Sequence, residues 1–268
     1  MDKINLFVYW IGDETIKKEI VNKFNNLCKK YPNLVLNIGP TKEEIDFMIN
    51  NFSYYKKMYK ENRHGFASDI YRFWKLSENN GIYIDALTNI NEEKFEDFIN
   101  LFYKQKHIVI KENGHLIWNG IIASKNQPLF KKIINFYINN PKIAHLLTGP
   151  LIYSIFIYKS YGIKLNENEN GVYYLNATDV DPFDNDSFFN YNGIGSWRKN
   201  IQEIDFNNRI KTGGHNYFHK NALKFKNKGF NKSWIIIRWC IKNYLIIYWL
   251  PCYFKNRNKQ NGSKQLNR

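Results

Sequence analysis

The first apolar run of the chain, INLFVYWIG from Ile4, carries no charge and is rich in β-branched and aromatic residues, which predicts a strand ending at Gly12. In ETIKKEIVNKFNNLCKKYP the apolar positions Ile16, Ile20, Phe24 and Leu27 recur at helical spacing, and Pro32 stops the helix. NLVLNIG returns to a strand pattern. TKEEIDFMINNF opens a second helix with Thr41 as its cap, and ASDIYRFWKLSENNG is expected to start a third at Ser68 and end at the Asn-Asn-Gly stop. That helix feeds a strand containing Tyr83 and Asp85. Further on, KHIVI reads as a short strand and IIASKNQPLFKKIINFYINN as a loop leading into an amphipathic helix. TGPLIYSIFIYKSYG reads as another helix and GVYYLNATDVDPF as a late strand with a polar loop.

This β-α-β rhythm predicts an α/β fold of the nucleotide-binding kind, and 268 residues suit one such domain with an appendage. Neither a repeat nor a Gly/Ser-rich linker interrupts it. The three cysteines, Cys28, Cys240 and Cys252, have neither an even count nor metal-ligand spacing, so packed free thiols in a reducing compartment are expected. His64, His115, His145, His215 and His219 show no paired metal spacing. Asp2 ahead of the first apolar run reads as the approach to a strand, not as a signal peptide.

Charge divides the chain in two. Of 39 basic residues fourteen follow Asp205, where there is no Asp or Glu at all, so a nearly neutral body of residues 1–205 carries a strongly basic extension, 206–268. Within that extension, SWIIIRWCIKNYLIIYWLPCYFKNRNK concentrates Trp234, Trp239, Tyr244, Tyr248, Trp249, Tyr253 and Phe254. Arg238 and Lys242 interrupt it and Pro251 ends it, so it falls short of the ~20 apolar residues that span a bilayer. A helix lying at the interface of an anionic membrane fits it, as does a helix packed on the body. Nucleic acid is disfavoured as a partner because unbroken Ile-Ile-Ile and Leu-Ile-Ile runs suit lipid better than phosphate.

Asp69 and Arg72 lie three residues apart on the predicted third helix, so both side chains share one face, near the end of the strand that carries Asp85. Ligands of open α/β sheets bind at the carboxyl ends of strands. From spacing alone the pair has two readings. Ser68 caps the helix, Asp69 complements its dipole and Arg72 closes a local ion pair; or carboxylate and guanidinium orient sugar hydroxyls and a phosphate.

The stretch FASDIYRFWKLSENNGIYIDAL resembles the signature of the sugar-binding DXD glycosyltransferases of family 32, Ala-Ser-Asp-x-x-Arg, then Leu, then Gly-Gly-[Ile/Val]-Tyr-[Leu/Ile]-Asp-x-Asp. FVYWIGD is similar to that family's first strand, GIIASKNQPLFKKIINFYINN to its acceptor-side loop and helix, TGP to the turn after it, and GSW to its closing motif. The resemblance implies a GT-A-type domain and a retaining transfer of a hexose from a nucleotide sugar, with UDP the expected nucleotide. The acceptor it implies is a surface glycan or glycolipid of capsule, lipopolysaccharide or lipooligosaccharide assembly. By the same resemblance Trp10 would stack on the nucleobase, and Ser68, Asp69 and Arg72 would hold the donor sugar. Tyr83 and Asp85 would line ribose and diphosphate, with Asn192 nearby, and Ser196 and Trp197 would close over the phosphates. From the residues themselves, Trp10 and Tyr83 also suit core aromatics and Trp197 a surface staple.

The chain departs from the family pattern at Leu87, where the second DXD carboxylate belongs, and at Asn80, where the first of two glycines belongs. The histidine that often precedes the terminal Ser-Trp is also missing from YNGIGSW. A weakened Mg²⁺ or Mn²⁺ site is therefore expected, with Asp85 as its carboxylate and oxygen donors from Asn192, Ser196 or the loop Asp179, Asp181, Asp184 and Asp186. The competing arrangement is a metal-independent site in which Lys or Arg neutralises the diphosphate. A cytoplasmic enzyme peripheral to the membrane is the expectation, and a degenerate, non-catalytic sugar-nucleotide or glycan binder its rival.

Overall fold

The computed structural model describes residues 2–111, 117–141, 149–161, 172–175 and 189–191. Asn192, Ser196, Trp197, the four loop aspartates and the whole basic extension, with its boundary at 205/206, lie outside the described residues.

Strand β1 (Ile4–Tyr9) runs into helix α1 (Glu14–Lys30), whose first turn is closed by the Asp13 carboxylate accepting from the amides of Thr15 at 2.8 Å and Ile16 at 3.1 Å. After β2 (Leu34–Gly39) comes α2 (Lys42–Asn51), which opens on a reciprocal capping box between Thr41 and Glu44. Next come α3 (Ser53–Lys60), which the apolar pattern did not reveal, and α4 (His64–Glu78). Helix α4 starts four residues before the expected Ser68 and without a side-chain cap, so Ser68, Asp69 and Arg72 belong to its interior turns. The chain continues through β3 (Gly81–Ile84), β4 (Thr88–Ile90), α5 (Phe95–Lys104), β5 (His107–Lys111) and β6 (Ile117–Ser124). It ends, among the described residues, with α6 (Gln127–Asn139), α7 (Gly149–Tyr161), β7 (Val172–Leu175) and β8 (Phe189–Tyr191). The Ile-Ile-Ala-Ser stretch read as a loop is thus the second half of β6, buried throughout, and the loop begins after Ser124.

Six strands form one mixed sheet in the order β2-β1-β3-β6-β5-β7. β1 is parallel to β2 and β3, and β5 is parallel to β7, while β6 runs antiparallel between β3 and β5. The α/β class follows directly: both faces are covered, so the strands alternate between two apolar cores. Leu6 and Val8 of β1 and Ile82 and Ile84 of β3 join Ile20, Phe24 and Leu27 of α1 and Phe95 and Phe98 of α5. Phe7 and Tyr9 of β1 and Tyr83 of β3 point the other way, into a core shared with α2, α3, α4, α6 and α7. A small second sheet pairs β4 with β8, setting Tyr191 opposite Thr88.

One irregularity positions the site. The β5–β6 ladder pairs Ile108 with Ala123 and then Ile110 with Trp118, so Val109 alone faces the stretch from Asn119 to Ile122. Such a bulge releases backbone groups from the ladder and re-aims side chains. Here it turns Asn119 and Gly120 toward the end of β3.

Candidate active site

Helix α4 packs on one face of the sheet, and the motif residues of its N-terminal half meet the carboxyl end of β3 where the sequence pattern put them. Arg72 is the hub. Its Nε donates to the Ser68 carbonyl at 3.2 Å, its two terminal nitrogens donate to the Asn119 carbonyl and the Ser68 hydroxyl, and its planar face lies 4.6 Å from the centre of the Tyr83 ring. Both carboxylates flank it, Asp69 Oδ1 at 3.6 Å and Asp85 Oδ1 at 3.3 Å. The Tyr83 hydroxyl donates to the same Asp85 Oδ1 at 2.8 Å, and the Asp85 amide donates to the Gly120 carbonyl at 2.7 Å, extending the β3–β6 ladder by one bond.

Asp69 is tied from the far side. Asn119 Nδ2 donates to its Oδ1 at 2.9 Å, and the Gly149 amide, at the start of α7, donates to its Oδ2 at 3.1 Å. Gly149 has to be glycine, because a Cβ there would stand 2.2 Å from the Asp69 carboxylate. Ser68 caps nothing: its hydroxyl donates to the Gly65 carbonyl at 2.8 Å and receives Arg72. The local reading of this motif as helix capping therefore fails, and the cluster is a tertiary assembly of α4, β3, β6 and α7.

The electrostatics are unbalanced. Two carboxylates share one guanidinium among buried surroundings, Asp69 and Arg72 being 4% and 3% exposed. Burial lifts the Asp69 carboxyl to about 6, against the pull of Arg72, Asn119 and the Gly149 amide. Asp85 is also raised by burial, with Arg72 and the Tyr83 hydroxyl opposing. Behind them the Tyr137 phenol is buried without a hydrogen-bond partner among the described residues, and burial and the Asp69 charge hold it far above its ordinary range.

Exposure separates the roles the sequence assigned. Tyr83 is 1% exposed, so it supports Asp85 from below instead of presenting its ring. Asp69 and Arg72 are likewise enclosed, their polar atoms already engaged within the protein. Asp85 is the opening: its side chain is 28% exposed, and among the described residues its Oδ2 has none of the hydrogen bonds that occupy Oδ1. Trp10, one residue past β1, is partly buried, with its Nε1 donating to the Asp13 carbonyl at 3.2 Å. Leu87 stands 37% exposed beside the site. No group of three His, Cys, Asp or Glu side chains able to hold a metal occurs among the described residues. Asn119, Gly149 and Tyr137 were not singled out from sequence; Gly120 and the Thr-Gly-Pro turn were the available signals.

No protein-family model matches the chain, and neither does any curated protein. Among solved structures, the chain is similar to the PaToxG glycosyltransferase, with 18% identity and a TM-score of 0.39 over 60% of this chain and 70% of that one. It is also similar to a glycosyltransferase involved in the glycosylation of the major capsid of PBCV-1, with 10% identity and a TM-score of 0.44 over 72% of this chain and 96% of that one.

Proposed function

We propose that the protein is a GT-A-type glycosyltransferase that transfers a hexose, with retention, from a nucleotide sugar to a glycan or glycolipid acceptor. The observation that carries this reading is the convergence of Asp69, Arg72, Tyr83 and Asp85 on one cluster at the carboxyl end of the parallel strands, with one carboxylate open to solvent. Those are the residues on which the chain resembles sugar-binding DXD glycosyltransferases. In this proposal Asp85 meets the donor, while Arg72, Tyr83, Asn119 and Asp69 hold it in place and set its charge. UDP is the proposed nucleotide, and surface polysaccharide the proposed class of acceptor.

Asp85 Oδ2 is one carboxylate oxygen, which fits a Mg²⁺ or Mn²⁺ ion held mainly by the donor's own phosphates, because Mg²⁺ binds through few carboxylates and keeps several waters. Asn192, Ser196 and the loop aspartates are proposed to complete it. When bound, such an ion neutralises charge developing on the departing diphosphate. The basic aromatic extension, 206–268, is proposed to rest on an anionic membrane surface on the cytoplasmic side.

A second reading has its own observation: the exposed Leu87 occupies the place of the second carboxylate, as expected of a chain that binds sugar nucleotides without transferring them. The test is donor hydrolysis by the full chain across UDP- and GDP-hexoses, in Mg²⁺ and in EDTA, with Asp85→Asn beside it. Turnover lost in Asp85→Asn supports the enzyme. Binding without turnover supports the second reading, and a chain that binds no nucleotide sugar sinks both.

A further inference from the structure

Helix α1 covers one face of the sheet, and one stripe of its residues also reaches the chain that leaves β3. Lys23, Lys30 and Tyr31 share that stripe, seven and eight residues apart. Lys30 Nζ and the Tyr31 hydroxyl donate to the Glu92 carbonyl at 3.3 and 2.8 Å, well past the candidate site. Lys23 lies at the other end, beside the turn that carries Asp85. In that turn the Thr88 amide donates to the Asp85 carbonyl at 2.9 Å, and Lys23 Nζ donates to the Ala86 and Thr88 carbonyls at 2.6 and 3.1 Å. Its ammonium therefore grips the backbone on either side of the exposed Leu87. No carboxylate among the described residues pairs with it, and burial pushes it down to about 8. The fold keeps a partly desolvated charge here, and what that charge holds is the turn.

We infer that Lys23 is a positioning residue of the candidate site, clamping the Asp85–Thr88 turn in the arrangement that presents the Asp85 carboxylate to the donor. This rests on the nucleotide-sugar reading above. At Asp85 the chain leaves the large sheet: its amide still bonds to Gly120, but the next ladder begins only at Thr88, opposite Tyr191. Between the two sheets the backbone is closed by the Thr88–Asp85 bond and by Lys23. A turn held by one hydrogen bond has other arrangements open to it, and two charge-assisted bonds from a helix anchored in the core remove them. Lys23 acts from behind. Its helix and Ala86 belong to the core that holds Ile20, Phe24 and Leu27, whereas Tyr83, beneath Arg72 and Asp85, belongs to the core on the other face. The ammonium therefore works through the backbone and leaves the front of the turn free for the donor. Without it the turn would offer Asp85 for only part of the time, and the apparent affinity for a donor would fall by that fraction. Bound donor would still select the competent arrangement, so the number of sites would not change.

The test is calorimetric titration of the full chain with UDP-glucose and GDP-mannose in Mg²⁺, comparing wild type, Lys23→Met, Lys23→Arg, Lys23→Gln and Lys30→Met. Stoichiometry and Kd are both read, because a lysine that only held the fold would lower the fraction of working sites and leave Kd alone. Lys23→Met keeps the length of the side chain without its N–H donors, and should weaken Kd about tenfold at unchanged stoichiometry. Lys23→Arg keeps a cation able to donate to both carbonyls and should stay within about threefold of wild type. Lys30→Met loosens the same segment away from Asp85 and should stay within about twofold. An unchanged Kd in Lys23→Met overturns the assignment while leaving the nucleotide-sugar reading intact. A lower stoichiometry at constant Kd does the same, and so does an equal weakening in Lys30→Met. A wild-type chain that binds neither conjugate overturns the functional reading and the clamp together. Circular dichroism on each variant checks the fold. If Lys23→Met does not fold, Lys23→Gln decides by the same Kd: its amide nitrogen is one atom too short to reach both carbonyls, and it should show the same loss.

Discussion

Strand β3 has a buried polar cluster at each end, and the two differ in kind. At its amino end Gly81 pairs with Ser124, which pairs in turn with His107. There the His107 ring, fully buried, joins the Ser124 hydroxyl through Nδ1 and the Tyr153 hydroxyl through Nε2, both at 2.6 Å, and stacks near Phe130 and Tyr161. Every polar atom of the ring is matched and no formal charge is present: burial drives the imidazole down to about 3, so it is neutral. At the carboxyl end two carboxylates crowd one guanidinium, a carboxyl is lifted to about 6, and the Asp85 side chain is partly exposed. A neutral, saturated, closed network is what a fold builds to fix its core; an ionic, unbalanced, half-open one costs stability and has to be compensated by binding. The difference singles out the carboxyl end of β3 as the candidate site.

The hardest blow to this contrast is removal of the hub. Arg72→Met should cost about 3–5 kcal/mol of folding stability, because it leaves the buried Asp69 and the partly exposed Asp85 with no cation between them. Turnover should vanish as well. Adding Asp69→Asn to Arg72→Met should return much of the stability, since the pair then leaves only the half-exposed Asp85 charged, yet none of the activity. Urea unfolding with donor hydrolysis on the same samples separates the two effects. Single and double variants of equal stability would show that the ionic cluster holds the fold no differently from the histidine one.

Acid should move the two clusters in opposite directions. Unfolded histidine titrates near 6.5, so the buried neutral His107 makes the unfolded chain take up the extra proton and lowers stability as pH falls from about 6.5 toward 3. Asp69 is the reverse: between about 4 and 6 the folded chain holds a proton that the unfolded chain has released, so stability rises as pH falls through that window. Its part is on the order of 2 kcal/mol. Wild type should therefore lose stability gently between pH 6 and 4, Asp69→Asn should lose it more steeply, and His107→Gln should gain it. Turnover should fall on the acid side of pH 6 as Asp69 takes up its proton. Parallel stability profiles for the three proteins would remove the distinction between the clusters.

How far the sequence reached differs between the clusters too. Local signals were legible: the Thr41 cap, the apolar run of β1, the helical spacing of Ile20, Phe24 and Leu27, and the spacing that put Asp69, Arg72 and Asp85 in one crevice. What stayed hidden depends on distance along the chain. Asn119 meets Asp69 from 50 residues away and the Gly149 amide from 80, and neither Asn119 nor the Thr-Gly-Pro turn names Asp69 as its partner. The bulge in β6 broke the period that would have announced the strand, and its Ile-Ile-Ala-Ser half was taken for loop. Helix α4 has no side-chain cap, so Ser68 took the place of its true start at His64. His107 drew no notice because a histidine in an apolar strand looks the same whether it is paired or not; only the fold supplies Ser124 and Tyr153.

The smallest expected effect on folding belongs to Leu87, and it sharpens the functional half of the contrast. Leu87 lies two residues beyond Asp85 and is 37% exposed, on a loop whose Ala86 and Thr88 carbonyls accept from Lys23 Nζ at 2.6 and 3.1 Å. Leu87→Asp therefore places its charge in water, with a lysine nearby, and should change stability by no more than about 0.5 kcal/mol. Its effect on the site should be larger than its effect on the fold. A second carboxylate two residues from Asp85 gives a divalent cation another oxygen ligand, so half-maximal stimulation should shift to lower Mg²⁺ or Mn²⁺ concentration. The measurement is donor turnover against metal concentration, wild type beside Leu87→Asp, each repeated in EDTA. If both proteins keep full turnover in EDTA, Asp85 serves the donor's hydroxyls, and basic side chains carry the departing diphosphate. If only Leu87→Asp responds at low metal, the open end of the cluster is a cation site that lacks one ligand, which the closed end of β3 could not become by any single substitution.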